Sequence, residues 1–217
     1  MTTLTIMFKK LILFIAVTAL FSVSHAQRRG SAANGFDYEL RAGANLCQID
    51  GDASGHYNKI GFHAGVGTSM PISDDGNWRF CVEIGLSQKG SRIVNSSMDR
   101  NISLLYVEVP LLIAYDLLEN HNLRIGVGMA PAILAKSKVT TDKTIDNQQS
   151  NNYKRFDALP LMASIRYRFT DHFGLQVRYC NSMLNTAKEN GSGTYRIFRS
   201  NKGQFNRLIQ AGITLSF

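Results

Sequence analysis

The residues able to do chemistry are few and scattered. Asp50, Asp52, Ser54 and His56 lie close together, and an acid, a hydroxyl and an imidazole are the ingredients of acyl transfer. They sit in the Gly-rich stretch IDGDASG, which does not hold such groups rigidly, and no nucleophile-elbow motif surrounds Ser54. The same stretch has the outline of a calcium loop without the downstream glutamate that one requires. Glu83 and Glu108 could work as a general acid and base. His63, Cys47, Cys81 and Cys180 could bind metal, yet none has a neighbouring ligand at zinc-type spacing. We therefore expect no catalytic residues, no cofactor and no metal, and read the three cysteines as small buried thiols.

The elements that carry these residues are strands. From Ile209 to Phe217 apolar residues alternate without a break with Gln210, Gly212, Thr214 and Ser216, the period of two of a strand with one apolar face. The same alternation recurs in residues 36–48, 60–72, 78–94, 102–116, 122–138, 154–169, from 173 onward, and 205–217, which makes eight strands and no helical period. Pro110 lacks an N–H and predicts a local bulge in strand four. Polar loops are expected at 95–101, 139–153 and 185–204.

Alternation suits a soluble barrel as well as a membrane one, and three features decide between them. The turns after strands two, four and six are short, at about three to five residues, while the other connections are long, as in barrels with short periplasmic turns and longer extracellular loops. Tyr38, Trp78, Tyr115, Phe169, Phe173 and Phe217 share the apolar parity and lie toward the short turns, forming a girdle at one membrane interface. A Lys or Arg on the lipid face at mid-depth costs about 2–4 kcal/mol, and Arg41, Arg124, Arg166 and Arg178 all take the opposite parity. The reading is all-β: an eight-stranded antiparallel up-and-down transmembrane β-barrel. Eight strands leave an interior that side chains fill, so Glu39, Arg41, His63, Glu83, Glu108, Arg124, Arg166 and Arg178 should form a packed polar network, with Glu83 and Glu108 paired to Arg124, Arg166 or Arg178. A wide diffusion pore is excluded.

Residues 1–26 have Lys9 and Lys10, an apolar core too short to span a bilayer, and small residues at Ser24 and Ala26, the pattern of a cleaved secretory signal. A polar lead, 27–35, and the barrel, 36–217, follow. Removing the signal takes two lysines and no acid from a formal charge of +8 and leaves +6. An exported basic protein meets anionic lipid rather than nucleic acid. Expected partners are outer-membrane lipid and lipopolysaccharide, the barrel insertion machinery through the C-terminal strand, and a protein at the outer rim; no nucleic acid is expected. Lys136, Lys138, Lys143, Arg196, Arg199, Lys202 and Arg207 are the candidate contacts, since basic side chains pair with phosphate.

RAGANLCQIDGD, GFHAGVG, EIGLSQKGS, LLYVEVPLLIAY, RIGVGMAPAIL and the terminal ITLSF together resemble the PorT-type small outer-membrane β-barrel family, also described as porin family or outer membrane protein β-barrel domain, over almost all of the chain after the signal. The resemblance implies an eight-stranded barrel in the outer membrane of a Gram-negative bacterium. Of function it implies only the founding member's part in assembling a secretion system; the girdle, the filled lumen and the long polar loops lead us to expect a non-enzymatic role, structural or partner-binding, in an envelope or secretion assembly. A narrow passive channel and a rim-located hydrolase are the alternatives.

Overall fold

A computed structural model describes residues 35–51, 56–95, 98–118, 122–142, 144–146, 150–157, 160–187 and 203–217. Nearly all are extended. In chain order the strands are β1 (Asp37–Asp50), β2 (Lys59–Pro71), β3 (Trp78–Asn95), β4 (Met98–Glu108), β5 (Leu111–Asp116), β6 (Leu123–Met129), β7 (Ala132–Thr141), β8 (Thr144–Ile145), β9 (Phe156–Asp157), β10 (Pro160–Arg168), β11 (Phe173–Ser182) and β12 (Phe205–Ser216). Eight of them close a ring, β1-β2-β3-β5-β6-β10-β11-β12, and every pairing is antiparallel. The last strand seals the first from Glu39↔Ser216 to Asp50↔Phe205. A closed ring leaves no edge, which is what lets strands cross hydrocarbon with every backbone group paired.

Pro110, Pro131 and Pro160 interrupt three neighbouring strands, so sequence strands four, five and six each appear as two pieces. Each prolyl carbonyl still accepts from the adjacent strand: Glu83 N–H to Pro110 at 3.0 Å, Val109 N–H to Pro131 at 2.9 Å and Ala130 N–H to Pro160 at 2.9 Å. The ladder loses only the donors that proline lacks. The expectation of a bulge at Pro110 needs correction. The pairings Glu108↔Ala132 and Leu111↔Met129 keep one register across the break, so no residue is inserted there. The bulge lies instead at Ala135, where Tyr106 pairs with Leu134 but Leu105 pairs with Lys136.

Two loops expected from their polarity also prove to be ordered extensions. β3 and β4 pair up to Asn95↔Met98, leaving two intervening residues where the sequence suggested a loop of seven. Ile93, Val94 and Ile102 favour strand, and the exposed Arg92–Asp99 ion pair (3.0 Å) ties the two strands across this hairpin. β7 runs on to Thr141 and folds back through Thr140↔Ile145. Tyr153, in the following polar stretch, is buried and bridges to Ala187. Residues 188–202, including the segment TYRIFR, fall outside the described residues.

These extensions explain a reversal of polarity along the barrel. A spanning strand needs about 9–11 residues, and β3 has 18. In its lower part Trp78, Phe80, Val82, Ile84 and Leu86 face outward, with Arg79, Cys81, Glu83 and Ser87 inside. Above Leu86 the outward residues become Gln88, Arg92 and Val94, while Lys89 and Ser91 point inside. Inside, at that height, lies an apolar cluster of Ile49, Ile102, Leu104, Tyr106, Val139 and Tyr153. Lipid outside demands apolar out and polar in, and water outside demands the reverse; β4 follows the second rule, its buried Ile102 and Leu104 alternating with Asn101 and Ser103.

Candidate functional site

The lumen at membrane depth is built by the inward parity of all eight ring strands. Toward the short turns, Arg124 forks onto Asp116 at 2.5 and 2.9 Å and also reaches Asp37 at 3.3 Å. Arg79 shares Asp37 at 3.2 Å, and both guanidiniums donate to the Ser69 hydroxyl, at 3.1 and 3.0 Å. Arg166 pairs with Glu39. One level up, Glu83 accepts from Arg178 Nη1 at 2.7 Å and pairs with Arg41 as well. Higher still, Lys89 meets Glu108 at 2.6 Å and stands 4.9 Å over the Tyr106 ring, while Ser182 donates to Asp157 at 2.5 Å. Desolvating a charge is expensive unless a partner replaces the lost water, and each of these groups has one.

His63 belongs to a neutral branch. Its Nδ1 donates to Asn45 Oδ1 at 2.8 Å, while the Asn45 amide nitrogen donates to the Phe62 carbonyl and to Ser87 Oγ, at 2.9 and 3.1 Å. That leaves His63 as a structural donor. Among the described residues no group of three or more His, Cys, Asp or Glu side chains could hold a metal ion. Cys47, Cys81 and Cys180 are buried free thiols in one luminal cluster with Leu112, Met162 and Leu208.

All eight residues expected in the lumen lie there, but one assigned pairing is wrong. Glu108 is held by Lys89 and not by an arginine, because Lys89 stands on β3 one inward step above Ser87, beside Glu108 on β4. Sequence reading also passed over Asp37, Arg79, Lys89, Asp116 and Asp157 as members of the network. Parity carried to the strand ends would have found the first four: Asp37 shares the face of Glu39, and Asp116 that of Glu108. Asp157 precedes the break in sequence strand six, across which parity is lost: Asp157 is buried on one side of it and Pro160 and Met162 on the other.

Outside, Tyr38, Trp78, Tyr115, Phe169, Phe173 and Phe217 stand at the end with the short turns. Trp78 and Tyr115 are cross-strand partners, their rings edge to face with centroids 5.1 Å apart. At the opposite end Lys136 and Lys138 are exposed, and the bulge at Ala135 is what puts them there. Counted by strict alternation from Ala132 and Leu134, both inward, they would point into the barrel; the extra residue turns them out. Arg207 is half-buried against Asp50 at 2.8 Å. Lys143, Arg196, Arg199 and Lys202 lie outside the described residues, as do Asp52 and Ser54. Of the remaining rim candidates, Asp50 is bound by Arg207 and by Gln48 (2.8 Å), and His56 is exposed on the loop.

Just above membrane depth Lys59 is buried, with its ammonium donating to Asn101 Oδ1 at 2.8 Å and to the Ile102 carbonyl at 2.5 Å. Burial pushes its pKa down to about 8 from an ordinary 10.5. Nearby on the outer surface, the Asp99 carboxylate raises the pKa of Arg92.

Comparison with known proteins places this geometry. Solved structures similar to the chain include Ail, the attachment invasion locus protein of Yersinia pestis (12% identity, 83% of this chain and 98% of that one, TM-score 0.48). Neisserial surface protein A (14%, 87% and 100%, 0.45) and OprG of Pseudomonas aeruginosa (13%, 87% and 99%, 0.43) are also similar. No curated protein matches the sequence. The family model described as outer membrane protein beta-barrel domain matches residues 25–188, most of the chain. With the closed ring of eight strands, the apolar outer belt and the polar lumen, that match identifies the chain as a member of the outer membrane protein β-barrel domain family.

Proposed function

We propose that this protein is a closed, non-enzymatic outer-membrane barrel of the PorT type, a structural or partner-binding component of an envelope or secretion assembly that works through its outer rim. One observation carries the reading: the lumen is stopped twice, by ion pairs at membrane depth and by the apolar cluster of Ile49, Ile102, Leu104, Tyr106 and Val139 above them. A permeating solute would have to displace both layers, and breaking one buried pair costs about 3–5 kcal/mol. The luminal acids Glu39, Glu83, Glu108 and Asp116 are each engaged by a cation, so none stands ready as a general acid or base. What remains available is the outside of the extension. The exposed Lys136 and Lys138 are the basic residues of that rim that meet lipopolysaccharide phosphates, and a protein partner would dock on the same rim; Lys143, Arg196, Arg199 and Lys202 lie outside the described residues and are candidates by sequence alone, while Arg207 is engaged by Asp50.

Export by a cleaved signal at residues 1–26, a polar lead at 27–35, and delivery of β12 to the insertion machinery belong to the same reading. The test is cross-linking in intact cells with an affinity-tagged copy, paired with planar-bilayer recording of the purified barrel. We expect capture of an envelope protein or lipopolysaccharide through the rim, and no steady conductance. Steady conductance would establish the narrow-channel alternative. A lipid or peptide turnover abolished by Ser54→Ala or His56→Ala would establish the rim-enzyme alternative.

A further inference from the structure

We infer that a groove on the outer wall of the barrel is a site for one acyl chain of a phospholipid from the periplasmic leaflet. The groove measures about 420 Å³ and is lined from Trp78 and Tyr115 at one end to Val177 and Tyr179 at the other. One residue makes the hollow. Among the described apolar side chains that face outward on β5, β6, β10 and β11, Ala163 alone is smaller than valine. It stands between Val127 and Tyr179, its cross-strand partners on β6 and β11, so a row of large side chains drops to a methyl group in its middle.

The groove follows the pairing rows and not the strands. Trp78 pairs with Tyr115, Tyr115 with Ile125, Ile125 with Ile165 and Ile165 with Val177. Four inter-strand steps of about 4.8 Å make this row about 19 Å long. Trp78 opens β3 at the end with the short turns, whereas Val177 lies midway along β11, so the row climbs as it crosses the strands. At a strand tilt of about 40° it rises about 12 Å, close to the roughly 15 Å of hydrocarbon in one leaflet.

Position selects the occupant. The groove is continuous with the belt that faces lipid, and every body that reaches it comes from the membrane. Lipid tails are as apolar as the wall, so a chain is held there by packing. On the convex belt a chain touches the wall from one side; in the groove side chains flank it on both, and the added contacts sum. At the lower mouth Trp78 and Tyr115 stand edge to face, amphipathic rings at the height of a phospholipid headgroup. A second copy of the barrel fits worse, because two-fold symmetry sets groove against groove and leaves a void between them.

The experiment refolds the full barrel into vesicles of phosphatidylethanolamine and phosphatidylglycerol and then releases it into mild detergent. Native mass spectra should show one phospholipid retained per barrel. Losing on the order of ten atom contacts weakens retention about tenfold, and Ala163→Phe, which fills the groove, should lower the retained lipid by that factor. Val66→Phe, in the belt on the opposite wall, should leave retention unchanged. Trp78 reports the place. With a phospholipid brominated near the carboxyl end of one chain, Trp78 fluorescence of the released barrel should stay quenched, and Ala163→Phe should relieve the quenching. No retained phospholipid, equal retention in Ala163→Phe, or an unquenched Trp78 would each overturn the assignment. A lipid-free dimer that Ala163→Phe dissociates would give the groove to a second copy, and lipopolysaccharide retained instead of phospholipid by barrels drawn from outer membranes would give it to the other leaflet; either result also overturns it. Should Ala163→Phe fail to refold, the smaller Ala163→Leu takes its place, and the quenching in the unaltered protein still decides.

Discussion

Glu83→Gln should be among the most damaging single changes to the barrel, although it alters no shape. Glu83 is 7% exposed and is the carboxylate that holds two guanidiniums, Arg178 through two hydrogen bonds and Arg41 through an ion pair. The amide keeps one acceptor and brings two donors toward groups that can only donate. Removing one member of a buried pair costs about 3–5 kcal/mol because the other charge stays desolvated, and here two charges are left. With a urea dependence of about 2–3 kcal/mol per molar, the midpoint should fall by roughly 1–2.5 M. Trp78 is the only tryptophan in the chain and sits at the membrane interface, so its fluorescence reports unfolding from lipid vesicles. Adding Arg178→Met to Glu83→Gln removes one of the stranded cations and should recover a substantial part of the loss. A midpoint shift under about 0.3 M, or a double variant no more stable than the single one, would refute the claim that Glu83 neutralises both arginines.

Three further outcomes follow from the same geometry. Val127 is 65% exposed in the middle of the outer belt, so Val127→Arg should cost about 2–4 kcal/mol in vesicle refolding. Lys136→Ala with Lys138→Ala should leave stability within about 0.5 kcal/mol but weaken binding to vesicles containing lipopolysaccharide; a large stability loss would contradict their outward placement. At the closing seam, a Cβ added to Gly43 would lie 2.5 Å from the Gly212 Cα, and Gly43→Ala should destabilise by about 1–3 kcal/mol, read as a lower temperature for loss of the compact band on unboiled gels. For Lys59, burial lowers the folded-state pKa to about 8 from 10.5, so between these pH values the unfolded chain binds more protons than the folded one. Its contribution to stability therefore rises with pH across that window, and the stability of the protein relative to Lys59→Met should increase from pH 8 to pH 10.5. A flat or falling difference would mean that Lys59 is hydrated.

Period-two alternation was enough to determine the number of strands, the face each takes, and hence which of Arg41, Arg124, Arg166 and Arg178 avoid lipid. The cost of a charge in hydrocarbon makes that rule nearly binary, so it can be read residue by residue. The closure of strand eight on strand one, Leu40↔Leu215 to Leu46↔Ile209, was legible for the same reason, since neither could leave an edge in the bilayer. Who pairs with whom was not legible. Arg178 and Glu83 stand 95 residues apart and meet only across the closed ring, and Glu108 could be given to Lys89 only once the β3–β4 register was known. The outward aim of Lys136 and Lys138 depends on one extra residue at Ala135, a shift that no local pattern marks. The apolar stopper escaped notice because Ile102, Leu104 and Tyr106 adjoin Leu105 and Val107, so both faces of that stretch are apolar and alternation carries no signal. Local chemistry told each side chain which solvent to face; only ring closure decided which strangers along the chain became neighbours inside it.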